Sequence, residues 1–369
     1  MKRTFYTLLA GLTVSLAALT SCEKNDLQPA RSDINEPQIG TLSFCVSDGI
    51  ATKGVVSAAG DTLNNEINHI QIWVFDSAGK LVTSGGKAFS SHTSATASSA
   101  SDTVGVNGVL YNVDGLKVYA LTNSAAESSQ WASVASEDDL LACVSDLKDN
   151  TVECMAAIGS KDNLKFSKDT LVSIPVKRFG SQIILKNITT AFASTAYANK
   201  TFVLTDMFLT NVQPTCPYSQ VAANDSIVEN WYDKMNLEAK VSDDLDNLIA
   251  ERDLSLDIKN GMSTVHHFYC YPNTTSLADD THDTTAFCAR RTRLVLATLL
   301  GDEVTYYPIT LPKSANGTLE SNKRYIISDV KITGPGVDDP EDPIGERGTV
   351  TYNVTIQDWE TGETWSENY

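Results

Sequence analysis

Few side chains in this sequence stand where chemistry would need them. Cys22 is one. It closes an apolar run in the stretch LAALTSCEKN, Leu16 to Asn25, and polar residues follow at once. A packed core has no use for such a junction, whereas a thiol there is a nucleophile placed for a processing enzyme. His266 and His267 are adjacent. On a strand they point to opposite faces, so one metal ion cannot use both. The acidic run Asp338-Asp339-Pro340-Glu341-Asp342 is a candidate calcium ligand set. It lacks the glycine-centred loop of such sites and carries a proline, so it reads as a solvated turn. No G-x-S-x-G elbow, H-E-x-x-H helix or phosphate-cradling glycine loop occurs. The expectation is a protein that is not an enzyme and takes no metal or cofactor.

The elements before Cys22 explain its placement. Lys2 and Arg3 give a positive start, and Phe5 to Leu19 carries no charge. This is the layout of a secretory signal, too short for a spanning helix. Leu19-Thr20-Ser21-Cys22 resembles the lipobox of bacterial lipoproteins, in which the cysteine becomes the lipid-bearing first residue. The alternative is an ordinary cleaved signal with a stray cysteine. Residues 1–21 are then the signal peptide and residues 22–40 a polar tether without periodicity. Loss of Lys2 and Arg3 with the signal takes the net charge from −18 to −20. No basic stripe exists to meet phosphate, so nucleic acid is excluded as a partner. Six further cysteines form no C-x-x-C pair. Cys143 with Cys154 and Cys270 with Cys288 are the nearest disulfide candidates, and buried free thiols are the alternative.

The rest of the chain alternates apolar and polar residues at period two. HIQIWVFD places Ile70, Ile72 and Val74 on one face. GVLYNVDGLKVYALTN reads as a hairpin about Asp114-Gly115. TLVSIPVKRFGSQIILKNI, KTFVLTDMFLTNV, RLVLATLL, VTYYPITL, KRYIISDVKIT and GTVTYNVTIQDW add further strands. One helix is predicted from near Ser136 through Leu140, Leu141 and Val144, another from Asp243 to about Arg252. Ser90 to Asp102 reads as a mobile loop, and TGPGVDDPEDPIGERG as a loop before the final strand. Many strands with few helices predict a mostly β fold of β-sandwiches. The length predicts two domains, at residues 41–176 and 177–369. Asp-Ser and Asp-Thr followed by an apolar residue recur, as in Asp76-Ser77-Ala78 and Asp102-Thr103-Val104. They resemble an O-glycan acceptor pattern of exported proteins, and strand and turn starts are the alternative.

Taken in order, five pieces carry a resemblance. They are the lipobox at Cys22, the strand TLSFCVSDG, the basic residue in IATKG, the pair INHIQIWVFDSAGKLV and GLKVYALTN, and NKRYIISDVKITGPGVDDP closed by VTIQDW. This order resembles the fimbrillin superfamily of Bacteroidales, subunits of lipoprotein-derived type V pili. The resemblance implies two transthyretin-like β-sandwich domains with few short helices. It implies lipidation at Cys22, transport to the outer membrane surface, and cutting by a trypsin-like surface protease at Lys53. The family usually has arginine there, and an ordinary loop lysine is the alternative. It implies that the strand carrying Leu42, Phe44 and Val46 is displaced and that a neighbouring subunit refills its groove. Those three residues alternate, which gives the strand one apolar face. Loss of such a strand leaves unpaired backbone and an apolar slot that a donated strand satisfies.

The leading expectation is therefore a fimbrial subunit that supports adhesion. Its implied partners are other subunits, the outer membrane through the lipid, a surface protease and an adhesion target on host or bacterial cells. The alternative is a surface lipoprotein that binds glycan or host matrix without polymerising. Five tryptophans and thirteen tyrosines supply material for stacking platforms.

Overall fold

The computed structural model describes residues 38–47, 67, 69–82, 89–93, 101–124, 129–152, 155–166, 171–220, 245–273, 291–311, 318–340, 350–359 and 364–368. These residues are mostly β. In chain order come β1 (Gln38–Ser47), β2 (His69–Phe75), β3 (Phe89–Thr93), β4 (Ser101–Tyr111) and β5 (Leu116–Thr122). Next are β6 (Val144–Asp146), β7 (Ala157–Leu164), β8 (Leu171–Pro175) and β9 (Lys177–Arg178). Then follow β10 (Ser181–Leu185), β11 (Ile188–Thr190), β12 (Phe202–Thr210), β13 (Thr215–Pro217), β14 (Ala250–Glu251), β15 (Leu256–Asp257) and β16 (His266–Cys270). The last are β17 (Arg293–Leu300), β18 (Glu303–Thr310), β19 (Lys323–Ile332), β20 (Val350–Asp358) and β21 (Thr364–Asn368). The short helices are α1 (Glu137–Ala142), α2 (Thr195–Ala198) and α3 (Asp246–Ile249).

Two sheets form the N-terminal half: β4-β1-β8 and β3-β2-β5-β7-β9. Val46 of β1, Val172 and Ile174 of β8, Ile70, Ile72 and Val74 of β2, and Val118 and Ala120 of β5 share one core. Strand alternation makes this possible, because residues i and i+2 face the same side. The C-terminal half has a sheet β16-β10-β19-β20-β21, with β11 on β19, and a sheet β14-β12-β17-β18, with β15 on β12. Ile183, Phe268 and Ile327 of the first share a core with Leu204, Leu296 and Ile309 of the second. Both halves are thus sheet-on-sheet packings of the sandwich type.

The expected boundary at 176/177 falls between β8 and β9. Lys177 and Arg178 still belong to the N-terminal half, since β9 pairs with Ile158 and Ala157 of β7. Conversely β13 reaches back to pair with β6.

Several expectations are corrected. Asp114-Gly115 does form a turn, with Gly115 at φ +77°, but the flanking strands lie in different sheets. The turn carries the chain across the sandwich instead of closing a hairpin. The helix after Ser136 has the expected start: Ser136 accepts from the Asp139 amide, and the Asp139 carboxylate accepts from the Ser136 amide. It stops at Ala142 because Cys143 adopts an extended conformation, φ −60° and ψ 153°, and Val144 enters a ladder opposite Pro217. The second helix is one turn, Asp246–Ile249. Ala250 and Glu251 pair with β12 instead, and Asp243 lies outside the described residues. Within Ser90–Asp102, where a loop was expected, β3 and the start of β4 are strands. The strand after the acidic loop is not the last, because β21 pairs with β20 beyond it. Cys143 and Cys270 are buried free thiols, so neither nearest-neighbour disulfide forms.

Candidate functional site: the first strand and its slot

β1 is the middle strand of its sheet. It pairs antiparallel with β4 over ten positions, from Gln38↔Tyr111 to Ser47↔Ser101, with a bulge between Gly40 and Thr41. On its other side it runs parallel to β8, from Ser43↔Leu171 to Ser47↔Pro175. Both backbone edges of its C-terminal half are therefore engaged, and among the described strands β1 lies between β4 and β8.

The expected strand residues fall into this frame. Leu42 is opposite Val106, Phe44 opposite Val104, and Val46 opposite Asp102. On the β8 side Phe44 meets Val172 and Val46 meets Ile174. Val46 has no solvent exposure and packs with Val172, Ile174 and the β2 and β5 residues of the shared core. Burial of a valine of this kind is worth roughly 1.5–3 kcal/mol. Cys22 and Lys53 lie outside the described residues.

The walls of the slot were less visible in sequence. Val172 and Ile174 alternate with exposed Leu171, Ser173 and Pro175, a pattern that signals a half-buried strand. Nothing in it signals a parallel partner at β1. The corner after β8 depends on Gly159 of β7. A Cβ there would lie 2.0 Å from the Pro175 carbonyl oxygen, 2.8 Å from its carbon and 3.0 Å from the Val176 Cα. Only glycine lets β7 pass this close to backbone.

The two histidines face apart, as strand geometry requires. His266 is buried, with Nδ1 2.8 Å from Glu251 Oε2. His267 Nδ1 meets Gln182 Nε2 at 3.2 Å. Both border an open cleft of about 1050 Å³ with Asn150, Asn247 and Arg252. Among the described residues no group of three or more His, Cys, Asp or Glu side chains could hold a metal ion. Of the acidic run, Asp338, Asp339 and Pro340 are described and Glu341 and Asp342 are not. No helix among the described residues is long and apolar enough to cross a membrane.

A polar seam joins the halves. Tyr271 is fully buried, and its hydroxyl bonds Ser145 Oγ and Asn150 Nδ2, each at 2.8 Å. Burial pushes this phenol far above its ordinary ionisation range. Trp131 Nε1 donates to the Tyr218 hydroxyl at 3.1 Å, and Tyr218 stacks on Phe179 with centroids 5.4 Å apart. Arg178 lies 4.5 Å from the Trp359 ring centroid, with Arg324 at 5.5 Å.

No family model matches the chain, and no curated protein sequence matches it. Solved structures do. A candidate cell adhesion protein from Bacteroides eggerthii superposes with a TM-score of 0.58 at 20% identity, over 88% of this chain and 98% of that one. A candidate cell adhesion protein from Parabacteroides distasonis gives 0.58 at 15% identity, over 87% and 100%. A fimbrilin from Porphyromonas gingivalis gives 0.55 at 12% identity, over 88% and 98%. At such identities the likeness is one of fold, and it extends over nearly the whole of each partner. This chain shares the mostly β fold of these candidate adhesion proteins and of the fimbrilin.

Proposed function

We propose that this chain is a structural subunit of a cell-surface fimbria and not an enzyme. In this proposal it leaves the cell as a lipoprotein modified at Cys22 and reaches the outer membrane surface. A surface protease cuts after Lys53, the strand bearing Leu42, Phe44 and Val46 departs, and a strand from a neighbouring subunit takes its place. The polymer then presents the subunits to an adhesion target. The observation that carries the proposal is the position of β1. It is the first described strand of the chain, it lies between β4 and β8, and its Val46 side chain is completely buried. A segment near the chain start that fills the middle of a sheet is removable by one cut. Its removal leaves two backbone edges and an apolar seat. A neighbour's strand recovers roughly 1 kcal/mol per backbone hydrogen bond in addition to the side-chain burial, against the entropy of association. The likeness in fold to a fimbrilin supports the same reading.

The test is trypsin treatment of the purified precursor, followed by mass spectrometry and size-exclusion chromatography, with Lys53→Ala as control. Loss of residues through Lys53 should accompany polymerisation in the wild type only. A cut protein that stays monomeric at high concentration and binds no peptide of residues 38–47 would exclude strand exchange. A Lys53→Ala variant that polymerises like the wild type would reduce Lys53 to a loop lysine.

A further inference from the structure

In the sheet β3-β2-β5-β7-β9, β2 and the end of β5 carry buried side chains on both faces. Ile70, Ile72 and Val74 of β2, with Val118 and Ala120 of β5, pack against the slot core that contains Val46. The residues between them, Trp73, Phe75 and Leu121, together with Ile158 of β7, belong to the other core, which continues through Tyr218, Tyr271 and the C-terminal sheets. Alternate side chains of one strand therefore serve two cores. Such a strand cannot move to follow one core without disturbing the other, because both are close-packed.

The contacts run on from this sheet. Trp73 meets Trp131 edge to face, with ring centroids 5.5 Å apart. Trp131 bonds Tyr218, which stacks on Phe179. Backbone bonds cross the same seam: the Tyr218 amide donates to the Cys143 carbonyl at 2.8 Å, and the Leu147 amide donates to the Pro214 carbonyl at 2.8 Å. Tyr271 holds Ser145 and Asn150 from the C-terminal side.

We infer that seating of the first strand is thermodynamically coupled to packing of the C-terminal sandwich through β2 and β5, whose alternate side chains enter both cores. The inference rests on the proposed removal of β1 and adds a remote consequence to it. An emptied slot loosens the C-terminal sheets, and a refilled slot tightens them. Coupling of this kind is reciprocal, so a weakened seam also lowers the hold of the slot on its strand. A subunit awaiting its neighbour is then less stable throughout than one already joined.

Hydrogen exchange with mass spectrometry on the full chain tests this. Val46→Ala should speed amide exchange in β4 and β8 roughly tenfold or more. Coupling requires the amides of β17 and β19 to speed up by a comparable factor. The seam variant Tyr271→Phe should reduce the remote response to Val46→Ala several-fold while leaving the response in β4 and β8. Faster exchange in β4 and β8 with β17 and β19 unchanged overturns the inference and leaves strand exchange standing. No change at either place overturns both, since β1 then contributes nothing to its own slot. Should Val46→Ala fail to fold, the near-isosteric Val46→Thr serves the same comparison.

Discussion

Gly159→Ala adds one methyl group where the structure has no room. The new Cβ would sit 2.0 Å from the Pro175 oxygen, more than an ångström inside van der Waals contact, and two more backbone atoms lie within 3.0 Å. No side chain can swing away to relieve this, because each of those atoms is main chain. Either β7 or the Pro175–Val176 corner must shift. Overpacking of a core site costs about 1–3 kcal/mol. A shift of the corner also strains the two-residue β7–β9 ladder at Ala157↔Arg178 and Ile158↔Lys177, at roughly 1 kcal/mol per lost hydrogen bond. The sum is about 3–5 kcal/mol. If residues 37–369 unfold together, with roughly 2.1 cal/mol/K of unfolding entropy per residue, the midpoint should fall by roughly 4–7 °C. Differential scanning calorimetry measures it. The same shift moves β8, so the parallel register Ser43–Ser47 should weaken and the first strand should become easier to remove. A loss of stability below about 1 kcal/mol would show that the corner yields without strain, and that the tight approach is not what fixes β8.

Other perturbations have definite outcomes. Ser136→Ala removes the side-chain half of the α1 capping box, the hydroxyl that accepts from the Asp139 amide, and leaves the Ser136 amide on the Asp139 carboxylate; it should cost about 1 kcal/mol in urea unfolding. Burial pushes the Cys216 thiol up from 9.0 to about 12. It should therefore resist iodoacetamide at pH 8 until the protein unfolds, as followed by mass spectrometry. Above pH 9 the unfolded thiol ionises and the folded one does not, so this group removes stability as pH rises through that range. Cys22→Ala should abolish incorporation of a lipid analogue in cells and leave the precursor off the outer membrane. Equal labelling of mutant and wild type would refute the lipid assignment.

Local features of the fold were legible because they depend on neighbours in sequence. Ile70, Ile72 and Val74 reveal a buried face by their spacing alone. That Trp73 and Phe75, on the opposite face with Gln71, enter a second core was not legible from this spacing. The start of α1 was visible in Ser136 and Asp139, since a capping box is a short-range device. Its end was not, because Val144 leaves the helix to meet Pro217 far along the chain. The Asp114-Gly115 turn failed as a hairpin for the same reason: the dipeptide fixes a local bend and says nothing about which sheet each arm joins. In the candidate site, the alternation of Leu42, Phe44 and Val46 was readable, while the parallel neighbour at Leu171–Pro175 was not. A parallel pair needs a long crossover, and no local pattern encodes where the chain returns.

The two neighbours of β1 differ in sense, one antiparallel and one parallel. A replacement strand that keeps the direction of β1 reproduces both sets of backbone bonds. One laid in reverse would face a parallel partner at β4 and an antiparallel one at β8, with the hydrogen-bond spacing wrong on each side. Under the proposed assembly every junction would therefore share one sense. One end of the fibre would always offer an open slot and the other an unplaced strand. Head-to-tail contacts extend as an open filament wherever the rotation between subunits does not close a ring, and such a filament would be vectorial, with its two ends chemically distinct.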